Sequence, residues 1–314
     1  MKLNAFLALV LGIALGTFSA SFALAPHPSP RQLLTTLIEV EEDATEPDVA
    51  EHNALHEEVK IVPDESTTTL SQYEFMSLDA SKTSSSRSVK IPVMIYHSVR
   101  PYMKGESKYQ DLYDVTPSLL EQELAYIETH GFHTVDMRDV DAYFRGATTS
   151  LPENPVMLTF DDGWKNQYEY AFPLLQKYHM KAVFFIFTNP IDHKKSHWMS
   201  WKNILELDRA GMEIGGHTRT HPILTKIKDD VKLDHEILEP KNIIEKHLGH
   251  PIIAFAYPFG MKNEQGKQAV IRAGYSIART TYSGVWNDPE HRLEFHGTLS
   301  SDHLKDFIHL LEKP

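Results

Sequence analysis

Two adjacent carboxylates at the end of an apolar run are the part of this sequence best suited to chemistry. Val156-Met157-Leu158-Thr159-Phe160 reads as a buried strand, and it stops at Asp161-Asp162-Gly163. Side-by-side acids repel each other, and burying them is costly unless a cation or a proton joins them. Gly163 lets the backbone turn sharply there. The stretch is therefore a candidate metal and acid–base site. A second candidate is His217-Thr218-Arg219-Thr220-His221, with two imidazoles four residues apart between Gly215-Gly216 and Pro222. Those flanks favour a turn or one short helical turn over a long helix. Two histidines and one carboxylate are a common ligand set for a catalytic zinc that keeps a position open for water. The chain has 18 histidines, so the spacing alone is a weak signal. It gains weight from Asp161-Asp162, which follow another strand of what reads as the same sheet.

Bringing these groups together requires strands that end side by side. Residues 91–96 form a strand ending at His97. Thr116-Pro117 reads as an N-cap followed by proline at the first helical position. Leu120, Leu124 and Ile127 then recur at helical spacing, and Gly131 closes that helix. Further strands are expected over 133–135, 182–187, 213–216, 252–256, 275–278 and 293–299. Helices are expected over 140–144, 167–178 (despite Pro173), 200–208, 229–248 with a bend at Pro240, 265–272 and 303–311. Such alternation predicts an α/β fold, a parallel sheet with helical crossovers that is either closed or doubly wound. His97, Asp161, His217 and Pro258 all come just after strands. In parallel barrels the chemistry collects at the carboxyl ends of the strands, so this placement favours one shared site.

The 314 residues suffice for one large α/β domain plus extra segments. The net charge of -12 is unevenly distributed: residues 26–88 hold 13 acidic against 4 basic side chains. No part is basic enough to make nucleic acid a main partner. There is no cysteine, hence no disulfide or thiolate chemistry. Met1-Lys2, an apolar stretch from Ala5 to Leu15 and the small-x-small sequence Ala23-Leu24-Ala25 read as a secretory signal peptide over 1–25. The alternative is an uncleaved membrane anchor, although the apolar run is shorter than the ~20 residues of a typical span. In both cases the bulk is exported, to the periplasm or the exterior. Residues 26–88, acidic and Ser/Thr-rich without sustained periodicity, read as a disordered linker. The organised domain is expected over 89–314.

Thr159-Phe160-Asp161-Asp162-Gly163 followed by His217-Thr218-x-x-His221 resembles the polysaccharide deacetylase family, the NodB-homology domain of carbohydrate esterase family 4. Phe255-Ala256-Tyr257-Pro258-Phe259-Gly260 resembles its third motif, and the likeness extends over roughly 91–311. It implies a distorted parallel (β/α) barrel and a hydrolase that removes N-acetyl groups from N-acetylglucosamine-containing polysaccharide. It also implies zinc or another divalent transition metal, bound by Asp162, His217 and His221, with Asp161 as general base. A metal polarises the attacking water and the acetyl carbonyl. One carboxylate is neutralised by coordination, and the other stays free to take a proton. A backbone N–H near Tyr257, Pro258 and Phe259 is then expected to help stabilise the oxyanion.

Two departures from the family pattern stand out. Many members carry an arginine at the position of Ala256, where it orients the catalytic aspartate. The late Leu-x-His motif that supplies the general acid in many members has no clear copy here; Leu293-Glu294-Phe295-His296 has the wrong spacing. Val93-Met94-Ile95-Tyr96-His97-Ser98 instead resembles the early Tyr-His motif of a permuted branch that includes exported poly-N-acetylglucosamine deacetylases. The acid is therefore assigned to His97, with His296 second. An imidazole suits the task because its ordinary charge change lies near neutral pH. Trp164 is expected to line the substrate groove, Trp286 to form a lid wall and Trp201 to pack in the core. Two other readings remain open at this point. One is a non-catalytic carbohydrate-binding protein that retains the fold, which Ala256 favours; the other is a deacylase of a small amide.

Overall fold

The structure is a computed structural model, and it describes residues 87–103 and 113–314. The signal peptide expected over 1–25 and nearly all of the acidic linker 26–88 lie outside the described residues. Among the described residues no helix is long and apolar enough to cross a membrane.

Eight strands form a single parallel sheet. They are β1 (Val93–Tyr96), β2 (His133–Thr134), β3 (Pro155–Phe160), β4 (Val183–Ile186), β5 (Glu213–Gly216), β6 (Ala254–Ala256), β7 (Ile277–Arg279) and β8 (Thr298–Leu299). Their order is β7-β6-β5-β4-β3-β1-β8, with β2 paired to the start of β3. The sheet curves into a half-barrel whose two edges the chain itself bridges. Phe295 pairs with Arg279 on one edge, and three residues later Thr298 pairs with Met94 on the other. The strand expected over 293–299 is thus shared between the two edges.

Helices α1 (Pro117–Thr129), α2 (Met137–Phe144), α3 (Phe172–Lys177), α4 (Asn189–Asp192), α5 (Trp201–Arg209), α6 (Asp230–Leu248), α7 (Glu264–Arg272) and α8 (Leu304–Glu312) fill the connections. Their starts follow local chemistry. The Thr116 side chain accepts the Leu119 N–H, and Asp136 and Ser200 each form a capping box. Gly249, left-handed at φ 80°, ends α6. The helix expected over 167–178 is instead a π-helical turn, Gln167–Ala171, running into α3. Pro173 explains the difference: its ring crowds the carbonyl four residues back, at Glu169, and a wider turn relieves that contact.

Side chains alternate along the strands between two cores. Met94, Tyr96, Leu158, Phe160, Phe184, Ile186, Phe255 and Tyr257 face the helix layer. Val93, Met157, Val183, Phe185, Ala254, Ala256 and Ile277 face the enclosed side with Met137, Val140 and Phe144 of α2. Glu213, which opens β5, accepts the Arg138 backbone N–H of α2. Helix α2 therefore closes the end of the sheet where β5 begins, and the strand carboxyl ends are left for the site. On the outer side Tyr96 stacks on Phe160 and Phe160 on Phe184, at centroid separations of 5.0 and 4.9 Å. Their rings lock β1, β3 and β4 in register one residue below His97, Asp161 and Phe185.

Candidate metal and catalytic site

Period-two alternation carries the inner face of each strand one step beyond the sheet, and the polar residues stand there. Asp161 is 3% exposed, and its backbone N–H donates to the Tyr96 carbonyl, so β3 pairing continues through it. Nη2 of Arg279 donates to both carboxylate oxygens, at 2.5 and 2.6 Å. Burial pushes the Asp161 carboxyl up, but the Arg279 charge, then His217, His97 and the Arg279 hydrogen bonds, outweigh it and hold the group below its ordinary value. Asp161 is thereby kept ionised although it is itself almost closed to water.

Asp162 points elsewhere because the backbone reverses. It adopts φ 72° and Gly163 φ 75°. A side chain at Gly163 would meet Ile186 Cγ2 at 3.0 Å, so glycine is needed there for conformation and for space. The Trp164 indole N–H donates to Asp162 Oδ2 at 3.0 Å. Oδ1 is buried without a hydrogen-bond partner, 3.6 Å from His217 Nε2 and 3.5 Å from His221 Nε2.

His217 follows β5 and is 1% exposed. Its Nδ1–H donates to the Ala256 carbonyl at 2.8 Å, which leaves Nε2 as a bare lone pair. Burial, assisted by His221, pushes its pKa down to about 4 against the opposing pull of Asp161 and Asp162. A neutral imidazole with Nε2 free is the form that ligates metals. The His221 ring lies 4.8 Å from that of His217 and is walled by Phe187 and Phe259 at 5.4 and 4.6 Å. Asp162, His217 and His221 are the one group among the described residues whose ligand atoms, all within 4.8 Å of one another, could hold a metal ion. The orphaned Asp162 oxygen and the fixed His217 tautomer both fit a divalent ion, because each leaves an electron pair with no other use. The donor set of two nitrogens and one carboxylate suits zinc.

His97 lies on the other side of Asp161, its Nε2 3.9 Å from Oδ2, with its side chain 19% exposed. Gln167, fully buried, donates from Nε2 to the carbonyls of both His97 and Asp161, at 2.6 and 2.5 Å. It ties the ends of β1 and β3 together, a role that a lone glutamine in a helical pattern does not announce. The second expected acid, His296, packs its ring beside Gly284 and donates its backbone N–H to Asn287.

The arginine missing at position 256 is present in space. Arg279 is the registered neighbour of Ala256 on the adjacent strand, so its side chain emerges on the same face. The sequence signal was a single cation at the end of the apolar strand Ile277-Ala278-Arg279. A charge in that position is either at the surface or paired, and this one is fully buried.

Of the residues expected to bind substrate, two border the metal group. Trp164 stacks on Trp198 at 4.7 Å beside Asp162, and Phe259, at φ 57°, contacts His221. Tyr257 and Pro258 are buried; the Tyr257 ring packs edge-on against Phe255 in the outer core, and its N–H donates to the Arg279 carbonyl. Tyr257 therefore presents no side chain to a substrate, since an odd number of strand steps separates it from the inner face set by Ala256. Trp286 is exposed, on a short ribbon where it pairs with Lys90, ahead of β1, while His97 follows that strand. Trp201 is half-buried, stacked on His247 and hydrogen-bonded to Asp192.

Comparison with known proteins bears on this geometry. Residues 148–278 match the family described as Polysaccharide deacetylase. YxkH of Bacillus subtilis (strain 168) is 26% identical over 196 residues, which cover 62% of this chain and 66% of that protein. The poly-beta-1,6-N-acetyl-D-glucosamine N-deacetylase of Staphylococcus aureus (strain MRSA252) is 26% identical over 216 residues, covering 62% of this chain and 74% of that one. The chain thus spans about two thirds of the first relative's length and about three quarters of the second's. Among solved structures, the Streptococcus pyogenes deacetylase PplD in complex with acetate superposes with a TM-score of 0.66 at 26% identity, over 71% of this chain and 99% of that one.

Proposed function

We propose that this chain, whose residues 148–278 match the polysaccharide deacetylase family, is a metal-dependent hydrolase that removes N-acetyl groups from N-acetylglucosamine units of an exported or envelope polysaccharide. The observation that carries this reading is the division of labour between neighbouring carboxylates. Asp162 offers a free oxygen to His217 and His221, while Asp161 is paired with Arg279 and faces His97. A divalent ion held by Asp162, His217 and His221 would supply Lewis-acid polarisation of the acetyl carbonyl and of a water.

The remaining chemistry belongs to the chain. Asp161, kept ionised by Arg279, takes the proton of the attacking water as the new C–O bond forms. In the 257–259 stretch the Tyr257 N–H is already donated and Pro258 has none, which leaves the Phe259 N–H as the donor for the developing oxyanion. His97 gives a proton to the departing sugar nitrogen as the C–N bond breaks, and acetate and a free amine result. Trp164 and Phe259 border the acetyl-binding end, and the signal-like N-terminus supports export.

The reading is tested by acetate release from N-acetylglucosamine oligomers with added zinc, cobalt or chelator. No release under any metal condition overturns it. Equal turnover of monomer and pentamer would point to a small-amide deacylase. The sequence feature that favoured a non-catalytic protein, Ala256, loses its force now that Arg279 stands beside Asp161.

His221→Ala is expected to weaken zinc binding by more than the about 10–100-fold typical of an outer-shell loss, measured by chelator competition. Undiminished zinc affinity removes His221 from the ligand set. For His97→Ala, kcat falls by about 10²–10⁴-fold with zinc content unchanged; undiminished turnover moves the general acid to another residue.

A further inference from the structure

The loop that carries the two histidine ligands is held in an unfavourable shape. Thr218 and His221 adopt φ 69° and 62°. The left-handed region is uncommon for any residue with a side chain, and more so for β-branched threonine. Such a conformation persists only where its surroundings over-determine it. The internal bond from the His221 N–H to Thr218 Oγ1, at 2.9 Å, closes the turn but does not anchor it. Two outside residues grip its backbone, beside the rings of Phe187 and Phe259 that wall His221 and the Arg219 side-chain contacts to His235 and Glu239. The Asn189 N–H donates to the Arg219 carbonyl at 2.9 Å. From α6, the Glu236 carboxylate takes every remaining polar group of the two central residues that points its way. Oε2 accepts the Arg219 and Thr220 N–H groups at 3.1 and 2.9 Å, and Oε1 accepts the Thr220 hydroxyl at 2.8 Å. Glu236 is 8% exposed, so water is poorly placed to substitute for it.

We propose that Glu236 is a positioning residue for metal binding: its carboxylate grips the 219–220 backbone and so holds His221 against His217 and Asp162. The proposal rests on the reading of Asp162, His217 and His221 as a metal site. Glu236 touches neither metal nor substrate; it acts by keeping the strained loop in the conformation that ligates. Its removal should therefore lower metal affinity in the range of outer-shell losses and leave the chemistry of Asp161 and His97 intact once the site is filled.

The test compares zinc affinity, by competition with a chromophoric chelator, in the full-length wild type and in Glu236→Ala, Glu236→Asp and Glu236→Gln, with thermal unfolding of each metal-free protein alongside. Glu236→Ala is expected to bind zinc about 10–100-fold more weakly. Aspartate keeps the charge but is one methylene short, and should fall between alanine and wild type. Glutamine keeps the reach and an acceptor oxygen, and should stay closest to wild type. At saturating zinc, kcat of the alanine variant should return towards the wild-type value. Wild-type zinc affinity in the alanine and aspartate variants overturns the proposal, as does glutamine binding as weakly as alanine, which would mean that charge and not positioning matters. Should alanine fail to fold, the aspartate–glutamine comparison decides. A wild type that binds no zinc overturns the metal-site reading itself, and the proposal with it.

Discussion

Asp161→Asn is expected to lower kcat/KM by about 10²–10⁴-fold, the range of a lost general base, while bound zinc stays at the wild-type level. Asparagine preserves the shape, and its amide oxygen can still accept a bond from Arg279 Nη2. What it cannot do is take a proton. The metal group keeps its full donor set, because Asp162, His217 and His221 are all unchanged. Acetate release and metal content measured on the same preparation check the prediction. Zinc lost together with activity would exchange the roles of the two aspartates. Activity retained would move the base elsewhere.

Arg279→Met should damage both stability and rate. The guanidinium is fully buried, and Asp161 is 3% exposed. Removing one partner of a buried pair leaves an uncompensated charge, which costs about 3–5 kcal/mol. For a domain of this size each kcal/mol lowers the unfolding temperature by about 2–4 °C. The pH signature has a definite sign. Asp161 is now held below its ordinary value, so its pairing stabilises the fold above the unfolded-state pKa and is lost as pH falls through the folded one. Without Arg279 the raising effect of burial meets only His217 and His97, so the carboxyl moves up and the acid limb of the activity profile moves to higher pH. The double variant Asp161→Asn/Arg279→Met removes both charges and should recover much of the stability but none of the activity. A single Arg279→Met variant as stable as the wild type would contradict the buried pairing.

Helix Pro117–Thr129, the strand before Asp161 and the loop His217–His221 were all legible because each is written in a local pattern: a proline after a capping threonine, an apolar run, two histidines at a fixed spacing. The alternation of strands and helices predicted a parallel sheet, and the sheet is parallel throughout. Two features were not legible. The π-helical turn before Pro173 depends on how a proline ring meets a carbonyl, which composition does not encode. The face of Tyr257 and the place of Trp286, expected in a lid wall, depend on strand register and on which strands pair, which neither residue's position in the sequence encodes.

By itself the sequence marked the candidates for chemistry, an acid pair and a histidine pair each placed after a strand of one sheet. It also placed Asp161, Asp162, His97, His217 and His221 on the carboxyl side of their strands. Only the tertiary structure decided how Asp161 is supported. Arg279 is 118 residues away along the chain and becomes its partner because β6 and β7 align Arg279 with Ala256. The same holds for Glu236 and Gln167, whose carboxylate and amide meet the site loops only after helices and strands have packed. Residue type and spacing mark the candidate side chains, and the family resemblance divides them into ligands and base. The geometry that makes one aspartate a ligand candidate and its neighbour a buried, charge-paired carboxylate comes from contacts between segments far apart in the chain.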